Sequence, residues 1–286
     1  MKKIIIDTDI GVDIDDTIAL AMACFSNTDI RAVTTVSGDV VKKARIARRV
    51  ADMCGGDFPI VPGISKPLNG IVMRSTGLED KMLPECPDVK FDGYAPDVIS
   101  SIVRENRNGI SLICLGPLTN IAAALESDPE LKGYVKEIYF MGGTSVRKKP
   151  SYNIRSDIAA ADIVFKSGIP LTLVSTEASK KAYWTPDEQE EMQEWNRPLT
   201  DFIYRQGKNY LEFSKKENMY LYDPLTLTTA ITEEFVNLDN VSVELEYVEP
   251  AGKTYLKKDE SSNIRFVYDV DAVAFKEYVR DVLQDL

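Results

Sequence analysis

An apolar run, Ile4-Ile5-Ile6, gives way to Asp7-Thr8-Asp9, turns at Gly11 and reopens as a helical stretch on Asp15-Asp16-Thr17. In an open α/β sheet the carboxyl end of a strand is where ligands bind. Asp7, Asp9, Asp13, Asp15 and Asp16 repel one another, so gathering them is unfavourable unless a cation compensates. Acidic residues do favour a helix N-terminus, which accounts for Asp15 and Asp16 but not for Asp7 and Asp9 in the same place. A metal site at the end of the first strand is therefore expected.

The rest of the chain repeats the strand-then-helix alternation. Apolar runs predict strands at Lys3–Asp7, Asp29–Val36, Ile60–Val61, Ile110–Leu115, Glu137–Met141 and Leu171–Ser175. Helical patterns fall near 15–25, 40–54, 94–107, 118–127 and 156–167. Several runs are apolar throughout rather than alternating, as strands covered on both faces are. The expectation is an α/β fold: one domain over 1–286, with a doubly wound, mostly parallel sheet and helices on both faces. The segment 186–216 reads as helical with Pro186 and Pro198 near helix starts, and Asp223-Pro224 opens a further helix, 224–231. Strands follow at 241–247, about 253–257 and 263–268, then a helix from about 270 to 284. The Pro-, Gly- and acid-rich loop 62–93 is long enough for an active-site flap.

The net charge of −11 argues against a nucleic-acid partner, whose phosphates need clustered Lys and Arg. The basic run Lys42-Lys43-Ala44-Arg45-Ile46-Ala47-Arg48-Arg49 is better explained as a solvated helix face. Cys24, Cys54, Cys86 and Cys114 are widely spaced, which suggests reduced thiols in a cytoplasm. No run is long enough to span a membrane. The chain has no histidine, so a metal must be held by oxygen atoms, which favours Ca²⁺ or Mg²⁺.

The segment Asp7-Thr8-Asp9-Ile10-Gly11-Val12-Asp13-Ile14-Asp15-Asp16 resembles the N-terminal signature of the inosine–uridine nucleoside hydrolase family. The resemblance continues through Thr34-Thr35-Val36-Ser37-Gly38-Asp39, Leu115-Gly116-Pro117-Leu118-Thr119-Asn120 and Phe140-Met141-Gly142-Gly143. It extends to Asn153-Ile154 with Asp157, and to Tyr222-Asp223-Pro224. It implies a Ca²⁺ held by Asp9, Asp16, the carbonyl of Leu115 and Asp223, with Asp9 also deprotonating the attacking water. Asp15 and Asn153 would hold the ribose hydroxyls with Asp39 close by, and Met141, Ser151 and Tyr222 would border the substrate. Asp7 would orient the site from behind the ligands. The implied reaction is hydrolysis of a ribonucleoside, purine or pyrimidine, to free base and ribose by a homodimer or homotetramer.

The chain departs from the family pattern at three positions. Tyr222 replaces a His that helps protonate the departing base, and a Tyr of ordinary pKa near 10 is a poor acid at neutral pH. Ser151 stands where the family commonly has Glu, and Asp39 where it has Asn. Tyr204 and Lys208 share a helix face in a segment whose family equivalent borders the base, a stripe that an ordinary amphipathic helix shows as well, while Trp184 and Trp195 read as packing. Two other readings compete. One is a ribosyl-ligand binder with little turnover. The other is a haloacid-dehalogenase-like Mg²⁺ phosphatase with Asp7 as nucleophile, for which Glu177 and Lys180 supply only a poor second motif.

Overall fold

The structure is a computed structural model that describes residues 1–69, 76–145, 149–249 and 251–284. Eleven strands occur among these residues. They are β1 (Lys2–Thr8), β2 (Thr28–Thr35), β3 (Ile60–Pro62), β4 (Ile110–Cys114), β5 (Glu137–Met141), β6 (Leu171–Val174), β7 (Tyr183–Trp184), β8 (Met219–Tyr220), β9 (Val236–Leu245), β10 (Thr254–Lys258) and β11 (Ile264–Val270). Nine form one sheet in the order β10-β9-β11-β6-β5-β4-β1-β2-β3. From β3 to β11 every pairing is parallel, and β9 runs antiparallel to both β11 and β10.

The isoleucine run of β1 shows why the sheet is covered twice. Successive side chains point to opposite faces. Ile4 and Ile6 join an apolar cluster with helices Asp15–Phe25, Val40–Met53, Tyr222–Ile231 and Ala272–Gln284. Ile5 joins a second cluster with helices Ala95–Glu105, Thr119–Ser127 and Ile158–Phe165. Burying each such side chain contributes about 1.5–3 kcal/mol. β4 is buried along its whole length, which explains a run with no polar alternation.

The expected elements are present, with local differences. The helix expected at 156–167 is two helices, Tyr152–Ser156 and Ile158–Phe165, because Asp157 leaves helical geometry at φ −150°. Its carboxylate caps the second helix through Ala160 N (3.1 Å) and accepts from Thr119 Oγ1 (2.7 Å) and Leu68 N (2.8 Å). Helices start at Pro186 and Pro198 as anticipated. β9 begins at Val236, earlier than the expected 241. The ribbon of β7 and β8 was not anticipated, since two-residue strands carry no periodic signal. Trp184 is buried and Trp195 packs against the same core, as expected. The long loop carries a short helix, Leu78–Met82, and its stretch 70–75 lies outside the described residues.

The loop from β1 to its helix depends on Gly11, whose φ is +121°. A Cβ there would lie 2.9 Å from Ile46 Cδ1 and 3.0 Å from Glu79 Cγ. Gly11→Ala should therefore lose about 1–3 kcal/mol in denaturant unfolding through combined backbone strain and overpacking. A variant within about 0.5 kcal/mol of the parent, the scatter expected of neutral surface changes, would show that the loop does not need glycine.

Candidate active site

The sheet winds outward from β1 to β2 and β3 on one side, and from β4 to β5 and β6 on the other. The reversal opens a crevice at the carboxyl ends of β1 and β4. Asp7 lies opposite Cys114 in register, and Leu115 N donates to Asp7 O at 2.8 Å. Residues just beyond the two strands, Asp9 and Leu115, are thereby brought together. Gly116 completes the approach, because a Cβ there would lie 2.9 Å from Asp9 Oδ1.

Asp15 and Asp16 open the helix that follows β1, and Asp223 enters from helix Tyr222–Ile231. Carboxylate oxygens of these three buried residues lie within 4.8 Å of one another. Thr8 Oγ1 donates to Asp16 and also accepts from Ile10 N at 3.1 Å, which fixes the turn. Gln206, from helix Pro198–Ser214, clamps the same loop: it donates to Asp13 O at 2.6 Å and accepts from Thr17 Oγ1 at 2.7 Å.

Burial raises the pKa of all these acids, and their mutual repulsion adds to it. Asp16 is pushed up to about 8, by desolvation first and then by Asp9. Asp15 and Asp223 are held well above the ordinary carboxylate range by burial and by neighbouring acids. For Asp9 burial also dominates, and the Lys43 ammonium opposes it. Lys43 donates to the carbonyls of Asp9 and Ile10 and lies 3.7 Å from Glu79. One ammonium leaves most of this negative charge uncompensated, and the donors are all hard oxygens. The residues fit an oxygen-ligated cation.

Asp7 lies behind the cluster. It accepts from Thr34 Oγ1 (2.6 Å) and Asn120 Nδ2 (2.7 Å), while burial pushes its carboxyl up to about 7. Asn120 also donates to Thr35 O and accepts from Ile64 N, so it ties β1, β2 and the following loop together.

Ten of the residues singled out from the sequence line one cavity of about 540 Å³: Asp9, Asp15, Asp16, Asp39, Leu115, Met141, Ser151, Asn153, Tyr222 and Asp223. That volume suits a small ligand. Asn153 Nδ2 donates to Leu115 O (2.6 Å) and Met141 O (3.0 Å). The Leu115 carbonyl retains a second lone pair, and Asn153 Oδ1 is a further acceptor. Ser151 Oγ is buried with no partner among the described residues. Asp39 caps helix Val40–Met53 by accepting from Lys42 N at 3.1 Å, so its carboxylate is partly committed to the fold. Tyr222 packs against Tyr220 with ring centroids 5.4 Å apart, and its phenol is pushed up by burial and by Asp15.

One sequence expectation changes here. The basic run is not simply a solvated face, because Lys43 is buried and holds the loop after β1. Tyr204 and Lys208 do not line the cavity; Tyr210, Phe213 and Lys216 from the end of that helix and the turn after it do. Glu79 and Thr76 also line it and were not foreseen. Glu177, which the phosphatase reading needed, is bound to Thr144 Oγ1 and Ser145 N instead. No helix among the described residues is long and apolar enough to cross a membrane.

Comparison with known proteins agrees with this geometry. Residues 4–277 match the family described as inosine-uridine preferring nucleoside hydrolase. The chain is 30% identical to the pyrimidine-specific ribonucleoside hydrolase RihA of Photobacterium profundum, covering 99% of this chain and 98% of that protein. It is 27% identical to the non-specific ribonucleoside hydrolase RihC of Escherichia coli, covering 98% and 97%. Among solved structures, a plant nucleoside hydrolase, PpNRh1, superposes with a TM-score of 0.90 at 26% identity, over 100% of this chain and 99% of that one. The phosphatase reading is thereby set aside: the chain belongs to the inosine-uridine preferring nucleoside hydrolase family and is a nucleoside hydrolase.

Proposed function

We propose that the chain hydrolyses the N-glycosidic bond of a ribonucleoside with a Ca²⁺ ion held by Asp9, Asp16, Asp223 and the carbonyl of Leu115. The observation that carries this reading is the buried carboxylate cluster at the sheet's switch point, gathered from residues far apart in the chain. Calcium is favoured because the donors are carboxylates and a carbonyl, with no histidine anywhere in the sequence. When bound, such an ion supplies Lewis acidity toward water and a fixed grip on the ribose hydroxyls.

The protein's own residues do the rest. Asp9 accepts the proton of the water that attacks the anomeric carbon. Asp15 and Asn153 hold the 2′- and 3′-hydroxyls, which orients that carbon. Asp39, Met141 and Ser151 border the sugar, and Tyr222 presents a ring to the base. As the C–N bond lengthens, positive charge grows on the ribose ring, and the surrounding carboxylates stabilise it. Asp7 keeps the strand end in place through Thr34 and Asn120.

The test is a panel of inosine, adenosine, uridine and cytidine assayed for reducing-sugar release with and without chelator. Release is expected from at least one nucleoside, with loss on chelation and recovery when Ca²⁺ is returned. Sugar release that persists after complete removal of divalent ions would sink the metal-dependent reading.

A further inference from the structure

The chain carries four cysteines, and the fold sorts them into two kinds. Cys114 is buried at the end of β4, and Cys86 is buried in the long loop, where its thiol donates to Met82 O at 3.3 Å. Burial pushes both thiols up, Cys86 to about 11 and Cys114 well above its ordinary range. Neither offers a thiolate near neutral pH. Cys24 and Cys54 are only half-buried, and a small solute can reach them.

These two are also neighbours in space. Cys24 is the last residue but one of helix Asp15–Phe25, and Cys54 caps the C-terminal end of helix Val40–Met53. The two helices pack together, and their ends bring the two thiols into hydrogen-bond contact. Donation from Cys54 holds the Cys24 thiol below its ordinary value against the opposing effect of burial, and the Arg48 guanidinium adds to the lowering. Arg48 is fixed beside the pair by Asp52 at 2.7 Å and by the carbonyl of Gly56. Cys54, as the donor, is pushed the opposite way. One thiol is thus the better nucleophile, and the other stands against it as a resolving partner. Both side chains hang from helix ends, and Gly55 follows Cys54 at φ +68°, so the backbone is less constrained there than in mid-helix.

We propose that Cys24 and Cys54 form a reversible dithiol–disulfide site whose oxidant is hydrogen peroxide. The Cys24 thiolate attacks one peroxide oxygen, the O–O bond breaks, and the other oxygen leaves with the electron pair and takes up the former Cys24 proton as water. Cys24 is then a sulfenic acid. The Cys54 sulfur attacks the Cys24 sulfur, the S–O bond breaks, and the departing hydroxide takes the Cys54 proton as a second water. Two thiols lose two electrons and two protons, and the peroxide is reduced to two waters. The first step removes the negative charge that faces Cys54, so nothing opposes the second. Closing the disulfide also spares Cys24 from irreversible oxidation to the sulfinic acid. Neither cysteine lines the cavity, although the same helices bring Asp15, Asp16 and Lys43 to it near their other ends. The site is therefore independent of the ribohydrolase reading.

The experiment treats the whole reduced chain with a small excess of hydrogen peroxide at neutral pH, counts thiols in denaturant and maps unreduced peptides by mass spectrometry. Thiols should fall from the four of the sequence to two, with a peptide pair linking Cys24 to Cys54 within one chain. Dithiothreitol should return all four. Cys54→Ser keeps a hydroxyl that can donate to Cys24 but removes the resolving sulfur. It should lose one thiol, trapped by dimedone as a sulfenic acid at Cys24. Cys24→Ser should lose none under the same treatment. Parent protein that keeps every thiol would overturn the proposal, as would a sulfinic acid at Cys24 beside a free Cys54 thiol, or a link formed only between chains. Thiol loss in Cys24→Ser equal to that of the parent would overturn it as well.

Discussion

Replacing Asp9 by asparagine should lower kcat on a responsive ribonucleoside by about 10²- to 10⁴-fold, the usual contribution of a positioned base. The side chains are isosteric, and asparagine keeps an oxygen that can face a cation. What it loses is the capacity to take a proton. The backbone is held independently of that change, since Lys43 grips the carbonyls of Asp9 and Ile10 and Thr8 braces the same turn. The expected pattern is a collapse in kcat with bound calcium retained and KM little altered. Calcium content by atomic spectroscopy, measured beside turnover, separates this from loss of the ion. Near-normal turnover at full occupancy would falsify the assignment of Asp9 as the base.

The second large effect concerns stability once the cation is removed. Asp7 is raised to about 7 and Asp16 to about 8, against ordinary values near 4 in the unfolded chain. A carboxyl whose folded pKa is raised binds its proton more tightly in the fold. Its contribution is fully present below the unfolded pKa and is lost as pH rises through the folded value. Chelated protein should therefore be more stable at pH 5 than at pH 8, the reverse of the usual behaviour of paired surface acids. Each pH unit crossed by one such group is worth about 1.4 kcal/mol at most. At roughly 2–4 °C per kcal/mol for a chain somewhat shorter than this one, Tm should fall by at least about 5 °C between pH 5 and 8. Adding calcium at pH 8 should restore it, because the ion takes over the role of the protons. A chelated protein whose Tm rose across that range would show that the cluster is not the source of the strain.

The sequence made the sheet and the acidic half of the cavity legible, for a definite physical reason. Strands β1 and β4 end close to the ends of their apolar runs, and Asp9 and Leu115 each follow such a strand directly. In a parallel sheet those positions converge regardless of how far apart they lie along the chain. The opposite half was less legible because it depends on what packs over a helix. Lys43 has the same helical periodicity as its basic neighbours, and only the segment carrying Glu79 turns that position into an interior. Tyr204 and Lys208 share a face with each other, yet the cavity meets the helix on a different face, at Tyr210, and then meets Lys216 beyond its end. The split at Asp157 was hidden for a similar reason. Its carboxylate answers to Thr119 and Leu68, partners that local propensity does not represent.

The convergence of Asp15, Asp16 and Asp223 has a consequence for biogenesis. A polypeptide emerging from the ribosome has the first two acids early but must wait for the third. Until helix Tyr222–Ile231 docks on helix Asp15–Phe25, no three-carboxylate nest exists. A fragment that stops before residue 223 carries β1 to β6 and still lacks it. Ion retention would thus report that helix Tyr222–Ile231 has docked.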